Sequence, residues 1–415
     1  MKGYSENPDT KCLTRDTGKL IPPLSSASRF THHTSRFLPL ALLLCLPLRS
    51  PGQLTASAGG YLSDMPSVMF EKIDGPWTVD NLVHNRLNFK TRLGSRLSAA
   101  VEVRNRFLYG ETVKNIPGYD RMIGQDNGWT DMSWNLVTGT SFIINTTIDR
   151  AYVDLSLGKF QATVGRQRIN WGMNYVWNPN DIFNVYSFFD FDYVERPGSD
   201  AIRLQYYFTP SAHLELAGKM NSSNQASYAG LIRFSLAGYD FQVLGGLMDE
   251  KEFVAGGGFS GYIGPVSLNG ELTYLHPRKM VSQPTPAIIA GGGVSYLTPF
   301  QLNIQLEYLF NEAASQSGLT GFTDFYYRIL TVRDLSFAPH TFFVNLAYPI
   351  SPLFNAGIAA MFFPKLNGFF AGPTIDISLR NNLDLSLIVQ HFAVEMKPGA
   401  VQRATLGFLR LKWSF

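Results

Sequence analysis

The feature that most narrows the possible folds of this chain is an alternation of apolar and polar residues that starts near Gly60 and runs to the last residue. It comes in segments of about ten residues bounded by turn formers, a length and period that belong to β-strands. The final segment, 402–415, shows it most clearly. Leu409, Leu411, Trp413 and Phe415 fall on one face, and Arg410, Lys412 and Ser414 on the other. Connectors between segments alternate in length. Short ones sit at Gly94-Ser95, Gly158-Lys159, Thr209-Pro210-Ser211, Gly238-Tyr239, Gly264-Pro265, Thr298-Pro299, Pro349-Ile350-Ser351-Pro352 and Asn381-Asn382. Between them lie connectors of variable and often greater length, at 110–147, 168–200, 221–226, 249–251, 276–285, 311–339, 364–367 and 393–401.

Two all-β architectures satisfy such a pattern. A soluble sandwich buries the apolar face and wets the polar one, whereas a transmembrane barrel turns the apolar face to lipid and the polar face to a water-filled lumen. Three features select the membrane. Residues 37–48, FLPLALLLCLPL, form a short apolar core preceded by Arg29, His32, His33 and Arg36 and followed by Ala56-Ser57-Ala58. That is the layout of a secretory signal peptide, too short for a permanent span. The chain ends on an apolar aromatic. Aromatic residues also recur near strand ends, at Tyr206, Phe208, Tyr274, Tyr308, Phe362, Phe363 and Trp413, as interfacial girdles require.

Composition fits. Charged residues make up 16% of the chain against about 25% in ordinary soluble proteins. No stretch after residue 60 approaches the roughly 20 apolar residues of a spanning helix. Seven of the 35 Lys/Arg and three of the 32 Asp/Glu precede residue 59, so the remainder carries a net charge near −1 and offers no basic surface for nucleic acid. Both cysteines, Cys12 and Cys45, lie in the same leader, and Leu44 and Leu46 around Cys45 fit a lipobox poorly. We therefore expect a leader over 1–58, with cleavage after Ala58, and one barrel domain over 59–415. With residues 60–70 as a weak first strand bent at Pro66, the count is about 18 antiparallel strands, or 16 if one hairpin is false; both are even, as single-chain bacterial barrels require.

The terminal strand closing on Phe415 resembles the C-terminal signal of bacterial outer-membrane β-barrels, which the barrel-assembly machinery reads. The stretch 165–200, GRQRINWGMNYVWNPNDIFNVYSFFDFDYVERPGSD, begins GRQ-x-x-x-WG, continues NP-x-D-x-FN, and resembles a motif of porin-like outer-membrane proteins of Gram-negative bacteria. By chain order it is the third external loop. In general porins that loop folds into the barrel and narrows the pore. The resemblance implies an outer-membrane porin passing small hydrophilic solutes by diffusion, with lipid around it and a homotrimer as the common assembly.

The residues themselves suggest how such a pore would select. Strand parity directs Arg86, Lys90, Arg104, Arg106, Arg150, Arg203, Arg410 and Lys412 into the lumen. Trp171, Trp177, Asp181, Asp190, Asp192, Glu195 and Asp200 stand on the loop, so opposed charges across a narrow lumen would set up a transverse field with an anion preference. The plainer alternative is that lumen charges only neutralise one another, Arg104 with Glu102 or Arg150 with Asp154. Arg166 and Arg168 have outward parity and must lie above the bilayer or after a bulge, since a lipid-facing Arg at mid-depth costs about 2–4 kcal/mol. Two other functions stay open: an outer-membrane enzyme, and a plugged structural or adhesion barrel. His84, His213, His276, His340 and His391 are scattered, so neither a nucleophile with its base nor a metal site is expected, and no cofactor. A barrel of 16 to 18 strands generally leaves an aqueous channel, which favours transport.

Overall fold

The computed structural model describes residues 54–189, 198–279, 284–316, 330–397 and 399–415, and for 396 and 397 only the backbone. Nineteen strands account for most of it. They are β1 (Leu54–Phe70), β2 (Trp77–Leu93), β3 (Leu97–Gly110), β4 (Ser133–Thr138), β5 (Phe142–Leu157), β6 (Phe160–Gln167), β7 (Ser199–Thr209), β8 (Ala212–Met220), β9 (Ala226–Leu236) and β10 (Tyr239–Met248). There follow β11 (Glu252–Ile263), β12 (Val266–Pro277), β13 (Ala287–Leu297), β14 (Asn303–Asn311), β15 (His340–Ser351), β16 (Phe354–Phe363), β17 (Gly368–Arg380), β18 (Leu383–Lys397) and β19 (Ala400–Ser414).

Each strand pairs antiparallel with its chain neighbours, except that β3 skips β4 and pairs with β5. The circle closes where β19 pairs with β1, Tyr61 opposite Ser414, and where Gly60 and Phe415 exchange backbone hydrogen bonds of 2.8 and 2.9 Å. The result is an 18-strand antiparallel barrel, with β4 a short extra strand against the loop end of β5. The expected count of about 18 holds. All eight short connectors fall at one rim. Gly94, Gly158, Gly238 and Gly264 there adopt positive φ, the conformation that tight hairpins need and other residues resist.

The faces decide between sandwich and membrane barrel. Across the β7–β12 wall, Leu204, Leu216, Ile232, Val243 and Leu272 all point outwards and are exposed, while Gln205, Glu215, Gln242 and Glu271 are buried inside. An apolar belt without a protein partner all the way round is what hydrocarbon solvates and water does not. Aromatic residues line up in register at the belt's edge, Tyr308 opposite Phe342, then Phe362, then Phe369, with Trp413 and Phe415 at the other rim. Phe363, expected in the girdle, instead points inward and is buried against Phe337 at 4.8 Å. No described helix is long and apolar enough to cross a membrane.

Two departures from regular pairing matter at the site. The β1–β19 ladder skips Met65 and Pro66, because proline has no N–H to donate. On β5 the register with β3 jumps from Glu102–Arg150 to Val103–Ile148, leaving Asp149 as a bulge. A bulge puts two successive residues on the same side. Asp149 and Arg150 are accordingly both buried within the barrel wall.

Candidate functional site

The long-loop rim carries three substantial connectors. The one between β3 and β5 forms two short helices, α1 (Glu111–Asn115) and α2 (Tyr119–Ile123), before β4. Its segment 126–130 wraps Arg166. That guanidinium donates to Asp200 at 2.7 Å, to Asp126 at 2.6 Å, and to the carbonyls of Thr130 and Ile148 at 2.7 and 3.2 Å. Arg166 thus has outward parity yet sits at the loop end of β6 under a protein cover. Arg168, just past the strand, lines an internal cavity instead.

Over the described residues 168–189 the chain makes no regular structure. Asn, Pro and Gly interrupt any period at 170, 172, 174 and 178–180. Its polar contacts therefore run to the wall, and they show where the loop lies. Trp171, only 2% exposed, donates its indole N–H to Glu215 of β8 at 2.7 Å, and its carbonyl accepts from Gln242 of β10 at 2.6 Å. The Tyr175 hydroxyl donates to Ser267 of β12 at 2.9 Å and lies 2.9 Å from the Ser295 hydroxyl of β13. Thr273 donates to the Asn180 side chain at 2.8 Å. Glu271 and Glu307 take the backbone N–H groups of 173–177 and 180. Residues 171–180 therefore run inside the barrel along strands β8 to β14.

Apolar packing completes this side. Trp171 meets Phe183 edge-on at 4.9 Å, Trp177 meets Phe343 of β15 at 6.1 Å, and Phe189 lies 5.1 Å from both Phe370 of β17 and Phe392 of β18. The loop segment 330–338 joins the same cluster through Val332, Leu335, Phe337 and Ala338. Arg333 fixes it to the wall, 2.6 Å from Glu252 of β11 in a buried charge pair, and the same Nη2 also donates to the Thr285 carbonyl at 2.8 Å.

The opposite wall is basic. Fully buried Arg86 donates to Glu102 at 2.7 Å and to Asp149 at 2.5 Å. Arg104 approaches Asp149 at 3.6 Å, and Lys90, 60% exposed, stands 3.8 Å from Glu102. Arg106 turns to the rim, donating to Asn145 at 2.7 Å and the Ile123 carbonyl at 3.0 Å. Arg410 donates to Ser386 at 3.2 Å, and Lys412 sits 4.3 Å over the Tyr61 ring. Arg150 and Arg203 meet across a cavity of about 460 Å³, joined there by Arg92, Arg96 and Arg168, with Glu102 and Asp154 as its carboxylates. Asp154 is held by Gln161 and Thr163, each at 2.7 Å. Among the described residues no carboxylate lies within ion-pair distance of Arg203, Arg168 or Arg233.

The loop carboxylates do not all face that wall. Asp200 is committed to Arg166, and Asp181 lies inside the loop, 3.5 Å from the Trp171 N–H. Asp190, Asp192 and Glu195 lie outside the described residues. Sequence parity missed Asp149, because the bulge at 148–150 reverses facing, and missed Arg168, which leaves the strand before facing is set. It also passed over Arg92, Arg96 and Arg233, although the strand pattern places all three within reach of the lumen.

No known family profile matches the sequence, and no curated protein is recognisably similar to it. Solved structures share its fold. Pseudomonas aeruginosa OccK9 (OpdG) is 9% identical, with 87% of this chain and 98% of that one covered at a TM-score of 0.59. Pseudomonas aeruginosa OccK11 (OpdR) is 9% identical over 87% and 96%, TM-score 0.55, and Acinetobacter baumannii OccAB1 is 10% identical over 87% and 97%, TM-score 0.54. The likeness is one of fold, a closed antiparallel β-barrel, and the exposed apolar belt around this one is a surface that hydrocarbon solvates.

Proposed function

We propose that the protein is an outer-membrane channel through which small hydrophilic solutes diffuse passively, with loop 168–200 as its constriction and a preference for anions. The observation that carries this is the asymmetry inside the barrel. A loop packed on β8–β18 leaves open a cavity walled by Arg92, Arg96, Arg150, Arg168 and Arg203, with Glu102 and Asp154 as its carboxylates among the described residues. Clustered cations over a narrow passage raise the local concentration of anions and repel cations. Of the loop residues described, Trp171 and Trp177 would form the body of the constriction and Asp181 would stiffen it; Asp190, Asp192 and Glu195 would complete it.

The remaining readings follow from position. Cleavage after Ala58 would trim β1 by residues 54–58, which lie beyond the end of β19 and pair only with β2. Phe415, exposed beside Gly60, stands where an assembly machinery could read it, and a homotrimer would use part of the apolar belt. A plugged barrel is the second reading, favoured by the apolar cluster that joins 169–189 and 330–338 to the wall. Planar-bilayer recording separates the two: discrete conductance steps with an anion-selective reversal potential support the channel, and silence from folded protein supports the plug.

A further inference from the structure

The loop's aromatic side chains explain why it lies against the wall, but they leave its backbone unaccounted for. Between Met173 and Asn180, six N–H groups converge on two carboxylates. Glu271 of β12 accepts from Met173, from Asn174 at 3.0 Å and, on its other oxygen, from Asn180 at 2.9 Å. Glu307 of β14 accepts from Tyr175 at 3.1 Å, Val176 at 3.0 Å and Trp177 at 2.7 Å. Both carboxylates are buried, and among the described residues no cation forms an ion pair with either. Peptide N–H groups take the place of a counter-ion, as in anion-binding nests.

The wall is shaped to let this happen. Two Gly-Gly-Gly runs, 256–258 on β11 and 291–293 on β13, flank β12. Gly258 and Gly291 stand opposite Glu271, and Gly293 stands opposite Glu307. A Cβ at Gly258 would come 3.2 Å from the side-chain amide nitrogen of Asn180, and one at Gly291 would come 2.9 Å from that of Asn174. The inner surface is bare where the loop's asparagine side chains lie against it and carries a carboxylate where the loop backbone needs an acceptor.

We propose that Glu271 and Glu307 form a two-carboxylate clamp that positions the loop and thereby sets the open cross-section of the barrel. The role rests on the channel reading for its effect on current, but not for its effect on the loop. Glutamine keeps the shape of each side chain and replaces one accepting oxygen with an N–H₂ donor that opposes the loop's own N–H groups.

The experiment uses the full chain with Cys12 and Cys45 replaced by serine, refolded, with the barrel checked by its heat-modifiable gel mobility. A cysteine at Asn174 reports the loop: maleimide labelling of N174C should speed up about tenfold or more when E271Q and E307Q are added, since local opening then costs less. In parallel, single-channel conductance of E271Q/E307Q should rise about twofold or more as the loop gives up its share of the lumen. A disulfide between N174C and G291C in that background should return the conductance to the parent value, and reductant should raise it again. Unchanged labelling overturns the clamp, and so does a raised conductance that the disulfide fails to lower. Faster labelling in a protein whose parent form never conducts overturns the channel reading instead.

Discussion

Replacing Arg86 by methionine tests the basic wall where its bonds are densest. The guanidinium is fully buried and binds Asp149 at 2.5 Å, Glu102 at 2.7 Å and the Asn88 side chain at 3.0 Å. Removing one partner of a buried ion pair costs about 3–5 kcal/mol, mostly for the charge left behind. Here neither carboxylate is wholly abandoned, since Arg104 stays 3.6 Å from Asp149 and Lys90 stays 3.8 Å from Glu102. The expected loss for R86M is therefore at the lower end, about 3 kcal/mol. Adding D149N removes the more deeply buried orphan charge, so the double variant should recover about 1–2 kcal/mol relative to R86M, a coupling typical of residues in direct contact. Urea unfolding in lipid vesicles, followed by tryptophan fluorescence, measures both. A loss below about 1 kcal/mol for R86M, or strictly additive losses in the double variant, would refute the claim that this network holds the wall together.

Two further perturbations address the rim and the cavity. Arg166→Gln strips the anchor from segment 126–130, and trypsin should then cut the folded barrel after exposed Arg121, a site expected to resist in the parent; equal digestion rates would contradict the anchoring role. Arg203→Gln removes a cavity cation with no described carboxylate partner, and should move the reversal potential towards cations with little change in urea stability. An unmoved potential would take Arg203 out of the permeation path.

Much of the architecture could be read from the chain because a membrane barrel writes the same rule into every strand. Lipid on one side and lumen on the other repeat the same period, and the eight short connectors each mark one hairpin at a common rim. Arg166 was readable for the same reason. A cation of outward parity is intolerable at mid-depth, and the structure places it at the strand end under 126–130. What could not be read arises from contacts between parts distant in sequence. Phe343, Phe370 and Phe392 look like faults in a polar lumen face until the loop aromatics cover them. Asp149 is misassigned by parity because nothing local announces the bulge opposite Glu102 and Val103. Glu271 and Glu307 read as ordinary wall polar residues, and only the fold brings six loop N–H groups to them. The Gly-Gly-Gly runs at 256–258 and 291–293 went unread, because their meaning depends on which strand lies between them.

The most direct test of the account is single-channel recording of the refolded protein in a planar bilayer, with the reversal potential taken under a salt gradient. Discrete, stable steps and a potential of the sign for anion selectivity are expected from the arginines around the 460 Å³ cavity. Cation selectivity would contradict the basic-wall argument, and silence from protein shown to be folded would contradict the open channel itself.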